Sequence, residues 1–435
     1  MDPLLAGDII YYMFLFGGFA FVVWFIPKAY WEWTGYLRKK FQLDHERILL
    51  EIRTPREVRK TPLAMELVFN GLFEPAGGEW FTWMTTGKSR PYYSFEIASI
   101  GGEVHFYIWA QRDYKQRIEG HFYAQYPDVE LVEVRDYTKF DFSWDTHKAY
   151  GFEFKLAEAD PIPIKTYRHH GFDRGGLEPE EQIDPITQTI ETMANIGPHE
   201  QMWVQMVARG HKDHKTSSVR FGERISAFFK MFTSFDTKKI HKNFWIFFTG
   251  KKKEFWSKEA EELVQKIRDK YKTAESDTTR DMTRADRLQM EIIQENVAKV
   301  AWDVGIRSMY VAPKEHFNGG SVNHMMGSIF KQYSSGGIYN DLRPGLIPSY
   351  TFPWQDRSGK KKRRVNNDMF HNYRRRNYLH DDIEHYPHGK NGMVTFVLSS
   401  EEMATIFHLP GQVAQTPTFE RIESVTGQAP ANLPT

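Results

Sequence analysis

The sequence predicts an α+β protein: an N-terminal transmembrane helix, a ferredoxin-like βαββαβ unit, and a second, related α+β unit with a helical insertion. Three observations predict it. Residues Ile9 to Pro27 form an unbroken run without a charged side chain. Farther along, segments with alternating apolar residues exchange with segments whose apolar residues recur every three or four positions, the periods of strand and helix. Over residues 45–137 these segments follow the order β-α-β-β-α-β, with turn residues where that fold turns.

The run IIYYMFLFGGFAFVVWFIP, with Ile9, Phe14, Phe16, Phe19, Val22, Trp24, Phe25 and Ile26 as its apolar wall, just spans a hydrocarbon core of roughly 30 Å at about 1.5 Å per residue. A cleaved signal peptide needs a basic start and a small-residue cleavage site. Here the start, MDPLLAGD, is acidic, and bulky KAYWEWTGYLRKK follows. Trp24, Tyr30, Trp31, Trp33 and Tyr36 suit the aromatic belt of a membrane interface. Lys28, Arg38, Lys39 and Lys40 lie on one side of the run and no Lys or Arg on the other. The expectation is a single-pass protein of the cell (inner) membrane, anchored by residues 1–40 in the lipid bilayer, N-terminus out and bulk cytoplasmic. No second comparable run follows, so the chain forms no pore by itself.

Composition limits the rest. Lys and Arg number 57 against 56 Asp and Glu, a net charge of +1, so bulk charge does not make the chain a polyanion binder. The absence of cysteine excludes a disulfide framework, thiolate metal sites and a Cys nucleophile. The roughly 400 residues beyond the anchor exceed one compact domain.

In the unit 45–137, Ile48, Leu50 and Ile52 alternate as a strand. Thr61-Pro62 opens a helix, Thr as N-cap and Pro at the first helical position, with Met65, Val68, Phe69 and Leu72 on one face. Tyr93, Phe95 and Ile97, then Val104, Phe106 and Ile108, mark two strands joined at Gly101-Gly102, a two-residue hairpin turn. Tyr114, Ile118, Phe122 and Gln125 recur helically until Pro127-Asp128, and VELVEV is the last strand.

The second unit, 150–212 and 284–410, follows the aromatic linker DYTKFDFSWD. Phe152, Phe154 and Leu156 alternate; Ile183, Ile186, Ile190 and Met193 make a helix ended by Gly197-Pro198; QMWVQMVA is a buried strand. Residues 213–283 read as a helical insertion. Met290, Ile293, Val297, Val300 and Val304 make one helical stripe that Gly305 ends, followed by the strand SMYVA. Val322, Met325, Met326, Ile329 and Phe330 ride a further helix, and 340–391 is a Pro-, Arg- and Asn-rich loop. The strand MVTFVL then leads into a short helix with Ser399 or Ser400 as N-cap and Glu401 and Glu402 in its first turn. Residues 411–435 are a Pro-rich tail.

Chemistry is sparse. Thr86-Gly87-Lys88-Ser89 looks like the end of a phosphate-binding loop, but residue 82 is Thr where that loop needs Gly. His380, Asp381, Asp382, Glu384, His385 and His388 have metal-ligand chemistry but sit in a polar stretch that reads as solvated loop, and neighbours His169 and His170 point apart in a strand. No catalytic, cofactor-binding or metal-ligating residue is assigned, and no cofactor is expected. Two stretches carry charge and rings. Lys360, Lys361, Lys362, Arg363 and Arg364, with Arg374, Arg375 and Arg376, are interleaved with Phe370, Tyr373 and Tyr378; such a mix fits a phosphate backbone, anionic lipid head groups or a solvated loop. In the insertion, Phe228, Phe229, Phe232, Trp245, Phe247, Phe248 and Trp256 flanked by Lys fit an interfacial amphipathic segment or a packing face.

The strings EIRTPREVRKTPLAMELVFNGL, YSFEIASIGGEVHFYI, YAQYPDVELVEV, EFKLAEADPIPIKTY, IDPITQTIETMANIGPHEQMWVQM and FVLSSEEMATIFHLPG, then TPTFERIES and APANLP, resemble a bacterial family. It is the membrane-anchored N-terminal region found beside, or fused to, HerA-like ATPases of the conjugative-transfer and type IV secretion kind. The resemblance covers most of the chain outside 213–283 and 340–391. In fused relatives the ATP-binding domain follows the ANLP segment; here the chain stops at Pro434-Thr435. The resemblance implies a non-enzymatic transport accessory that docks a separately encoded cytoplasmic HerA-like ATPase, with DNA and a second copy of the chain as further partners. The alternative is a membrane-tethered nucleic-acid binder that uses residues 359–378; a hydrolase with an unrecognised site is the third class.

Overall fold

In a computed structural model, the structure describes residues 44–55, 60–75, 85–88, 90–172, 184–212, 215–218, 251–254, 256–273, 276–279, 282–346, 354, 356–378 and 395–411, with scattered positions from 18 to 41. The chain divides into two compact units. One comprises residues 1–45, 77–90 and 212–255. In it, residues 32–37 are helical, and β-strands Lys215–Ser218 and Lys251–Glu254 pair antiparallel. The other, residues 46–76, 91–211 and 256–435, is built on a nine-stranded sheet with helices around it, a mixed α+β body whose strands all pair antiparallel.

Its first half is β1 (Arg47–Arg53), α1 (Pro62–Leu72), β2 (Tyr93–Ile100), β3 (Glu103–Gln111), α2 (Lys115–Gln125) and β4 (Glu130–Val134). The strands lie in the order β4-β1-β3-β2, the split βαβ arrangement. Thr61 has extended backbone at the N-cap, Pro62 starts α1 where a missing N–H costs nothing, and Met65, Val68, Phe69 and Leu72 are buried. The turn at Gly101 and Gly102 has φ of +63° and +95°, which fits the residue pair a two-residue hairpin demands.

The second half repeats the arrangement. β5 (His147–Leu156), α3 (Pro185–Ala194), β6 (Gln201–Gly210), β11 (Ala301–Pro313), α6 (Gly319–Ser328) and β12 (Leu342–Leu346) give the order β12-β5-β11-β6. Between β6 and β11 lie β7 (Lys215–Ser218), β8 (Lys251–Glu254), α4 (Trp256–Asp269), β9 (Lys272–Thr273), β10 (Ser276–Thr279) and α5 (Arg284–Val297). The halves join where β2 pairs with β6, from Tyr93 opposite Ala208 to Ile100 opposite Gln201. Corresponding strands therefore meet at the seam, and one sheet runs through both halves. After α7 (Lys360–Arg374), β13 (Phe396–Ser399) pairs with the first residues of β11, and α8 (Ser400–Ile406) follows. Ser399 and Glu402 cap α8 reciprocally, so Ser399 is the N-cap.

Both sheet faces are covered, which is why strands such as QMWVQMVA read as continuous apolar runs. On one face Phe95, Phe106, Val204, Met206, Trp302 and Ile306 pack under the helices. On the other, Tyr107, Trp109, Trp203, Val207 and Met309 pack under Met369, Phe370 and Tyr373 of α7.

Several expectations are corrected. The stripe from Met290 to Val304 is not one helix: α5 ends at Val297 and β11 starts at Ala301. Val300 and Val304 stand four apart, a spacing that both the helical and the strand period allow. Gly305 ends no helix; it lies within β11, where an added Cβ would meet the Tyr378 ring at 2.0 Å. The stretch 340–391 is not all loop, because Val365, Met369 and Tyr373 recur at helical spacing and bury one face of α7. The aromatic linker is a packed strap: Phe142 lies 4.2 Å from Phe370 and Tyr137 4.9 Å from Tyr107, centre to centre. From Trp256 onward the insertion belongs to the body, Ala260, Val264 and Ile267 of α4 packing with Ile293 of α5.

Candidate functional site

Beneath α7 the sheet carries a polar row in register. Glu153 on β5 stands opposite Arg307 on β11, Arg307 opposite Gln205 on β6, and Gln205 opposite Glu96 on β2. All four are buried. Arg376, just past α7, caps the row at Glu96: its Nε donates to Glu96 Oε1 at 2.9 Å, and its Nη1 and Nη2 reach the Asp136 carboxylate at 2.5 and 3.0 Å. Gln205, Ser94 and Tyr137 donate to the same Glu96 carboxylate. Burial opposes the charge on Arg376, but Glu96 and Asp136 outweigh it and hold the guanidinium well above its ordinary pKa. Burial pushes Tyr137 and Tyr373 well up, so both stay neutral. Arg376, Glu96 and Asp136 are thus spent on one another.

A cavity of about 480 Å³ opens at the other end of α7, between β5, α6 and the start of α7. β5 supplies Lys148 and Tyr150; the segment into α6 supplies Lys314 and Phe317, and α6 itself Asn323; α7 supplies Lys362, Arg363 and Asn366; the strap supplies Trp144. Cations lie over rings: Lys148 5.4 Å from the Phe317 ring centre, Lys362 5.6 Å from Tyr150, Arg363 5.9 Å from Trp144. Trp144 is pinned to α7 by its Nε1, which donates to Asn367 Oδ1 at 2.7 Å. Asn366 is 7% exposed, and its Oδ1, like that of Asn323, accepts no hydrogen bond among the described residues. Among the described residues no acidic side chain is in the lining. The nearby Asp356 accepts from the Lys362 backbone N–H at 2.8 Å, and the first N–H groups of α7 hold its carboxyl below the usual range.

Residues 34–421 match the family model described as Domain of unknown function (DUF8128). The chain belongs to this family. No curated protein and no solved structure matches it. The matched stretch contains both halves of the sheet and the cavity, and it begins after the uncharged run Ile9–Pro27.

Elsewhere in the DUF8128 chain the buried ionisable groups also pair among themselves. Lys299 bridges Glu401 and Glu66, the latter at 3.7 Å. Asp184 takes His408 Nε2 at 2.8 Å and caps α3 through the Ile186 N–H. Asp303 faces His211 at 2.7 Å and Arg209 at 3.0 Å. Burial raises the Glu402 carboxyl to about 7. The Ile164 and Tyr167 N–H groups donate to Glu402 Oε1 and Thr405 Oγ1, each at 3.0 Å, which ties the segment 160–167 to α8. Among the described residues no cluster of three or more His, Asp or Glu has metal-holding geometry.

The sequence-predicted basic residues divide. Lys362 and Arg363 line the cavity; Lys360, Lys361 and Arg364 are exposed on α7. Arg374 lies over the Phe370 ring at 5.5 Å and Arg375 is exposed, whereas Arg376 is 1% exposed and reaches no surface ligand. Trp256, expected at an interface, is 5% exposed and packs with Ala301 and Val397, because it opens the amphipathic helix that docks on α5. Phe228, Phe229, Phe232, Trp245, Phe247 and Phe248 lie outside the described residues, as do His380 to His388. Of the anchor wall only Phe25 is described, helical and 48% exposed; Ile9, Phe14, Phe16, Phe19, Val22, Trp24 and Ile26 lie outside. Among the described residues no helix is long and apolar enough to cross a membrane. Sequence reasoning missed Lys148, Lys314, Trp144, Phe317 and Asn366, which come from separate segments and share no local motif.

Proposed function

We propose that this chain is a membrane-tethered, non-enzymatic platform that docks a separately encoded cytoplasmic P-loop ATPase in a conjugation- or type IV secretion-like machine. The observation that carries it is the uncharged run Ile9–Pro27, followed by Trp33 and Tyr36, which stand 55% and 58% exposed on a helical stretch, as belt residues would. Two ferredoxin-like halves joined in one nine-stranded sheet supply a folded body for docking. Arg376 with Glu96 and Asp136, His408 with Asp184, and Arg209 with Asp303 hold charge in pairs within the body. Resemblance to regions found beside HerA-like ATPases supplies the partner, and a ring of copies would match a hexameric motor by analogy alone.

Cell fractionation tests the tether. The full chain stays in the membrane pellet through an alkaline carbonate wash, and a chain lacking residues 1–40 leaves it; full-length protein in the soluble fraction overturns the tether. Affinity purification in detergent tests docking. A P-loop ATPase co-purifies, whereas recovery only as a lone monomer overturns that half. The nucleic-acid alternative keeps Lys360 to Arg364 and loses Arg376, which is consumed by Glu96 and Asp136.

A further inference from the structure

We propose that the cavity between β5, α6 and α7 binds a nucleotide unit: phosphate on its lysines, base between its rings. This goes beyond the platform reading and does not rest on it. Four features of the cavity point to that chemistry together.

The first is size. About 480 Å³ lies inside the range of roughly 300–1,000 Å³ typical of small-molecule sites. The second is charge. Lys148, Lys314, Lys362 and Arg363 converge on the cavity, and among the described residues no carboxylate lines it. Asp356, an acidic group tied to the α7 start, is already held by backbone N–H groups of that helix. An incoming phosphate is therefore met by side-chain cations, not by the helix end, which its own aspartate occupies.

The third is the rings. Trp144, Tyr150 and Phe317 each present a face that a cation now covers. When phosphate draws Lys148, Lys362 and Arg363 away, those faces become free to stack a base, a contact that tolerates any base. The fourth is the pair of amides. Asn366 is buried with an unpartnered Oδ1, and Asn323 has a second such oxygen. A buried amide carries both a donor and an acceptor and so matches the edge of a nucleobase. An inorganic anion or a lipid phosphate uses the lysines and leaves the rings and the amide oxygens unmatched.

The source of the nucleotide is either a free mononucleotide or a residue of a single strand. The same chemistry serves both, and binding separates them. Full-length protein in detergent is titrated with fluorescently labelled AMP, GMP, CMP and UMP, with a labelled twelve-residue oligothymidylate, and with inorganic phosphate and anionic vesicles as competitors. Saturable one-site binding of a mononucleotide or the oligonucleotide, displaced by unlabelled nucleotide and not by equal phosphate, supports the proposal. Equal affinity for mononucleotide and oligonucleotide assigns the free nucleotide; a much tighter oligonucleotide assigns the strand. The exposed pair Lys148→Glu and Lys362→Glu, with an unchanged melting curve, lowers affinity at least roughly tenfold, the loss expected from charge-assisted bonds. Asn366→Ala narrows the differences among the four bases. Binding that phosphate or vesicles displace equally well, binding unchanged in the lysine variants, or no nucleotide binding at all overturns the proposal.

Discussion

Arg376 and Glu96 form an ion pair 2.9 Å long whose side chains are 1% and 0% exposed, between a residue just past α7 and the middle of β2. It joins α7 to the seam between the two halves, because Glu96 stands opposite Gln205 across the β2–β6 pairing.

Removing one partner leaves a buried charge without compensation. Arg376→Ala is expected to cost about 3–5 kcal/mol of stability. Arg376 also has φ of +50°, so Arg376→Gly relaxes the backbone while losing the same pair. Denaturant unfolding of the full chain measures both. A change of under about 0.5 kcal/mol for Arg376→Ala, the size of an ordinary surface substitution, would show that the pair is not a staple. Changing Glu96 to Gln in the Arg376→Ala background recovers part of the loss, since it removes the orphaned carboxylate.

Glu402 makes stability depend on pH in a defined direction. Burial raises its carboxyl from 4.5 to about 7 in the folded chain. Between those values the folded state keeps a proton that the unfolded state has lost, so stability falls as pH rises through that window. Glu402→Gln keeps the capping partner of Ser399 and removes the titration. The difference in stability between wild type and variant, followed by thermal melting from pH 4.5 to 7, is the measurement. Parallel curves contradict it.

Gly305 and Tyr378 are coupled by contact. A Cβ at Gly305 meets the Tyr378 ring at 2.0 Å, so Gly305→Ala forces the ring away and costs about 1–3 kcal/mol. In a Tyr378→Ala background the same substitution costs much less. A double-mutant cycle with strictly additive effects rules the clash out.

The cap of α8 gives a smaller effect. Ser399 accepts from the Glu402 N–H, and Glu402 reaches back to the Ser399 N–H at 2.8 Å. Ser399→Ala is expected to lower the unfolding free energy by about 0.5–2 kcal/mol. An unchanged melting temperature would mean that β13 holds the start of α8 without the cap.

Local signals made the first half legible. Thr61-Pro62, Gly101-Gly102 and the alternation in β1, β2 and β3 act within a few residues, and the strands pair as those signals require. The second half hides the same plan. Its β6 and β11 correspond to the hairpin strands β2 and β3, but residues 211–300 separate them where Gly101-Gly102 suffices in the first half. No local pattern reports a pairing across that distance. The basic stretch failed differently. Arg374, Arg375 and Arg376 are adjacent and chemically alike, yet Arg375 is exposed at the cap of α7 while Arg376, past the helix end with φ of +50°, turns onto Glu96.

By itself the sequence determined the element order of the first half, the helix start at Thr61-Pro62, a final helix capped at Ser399 or Ser400, and the uncharged run before Lys28, because periodicity, turn chemistry and hydropathy are properties of neighbouring residues. Only the tertiary structure decided the union of the halves along β2 and β6, the burial of Arg376 and Trp256, and the cavity that gathers Trp144, Lys148, Phe317 and Asn366. Those features depend on which distant segments share the limited space over each face of the sheet, and that competition is settled by packing and by the need to pair buried charge.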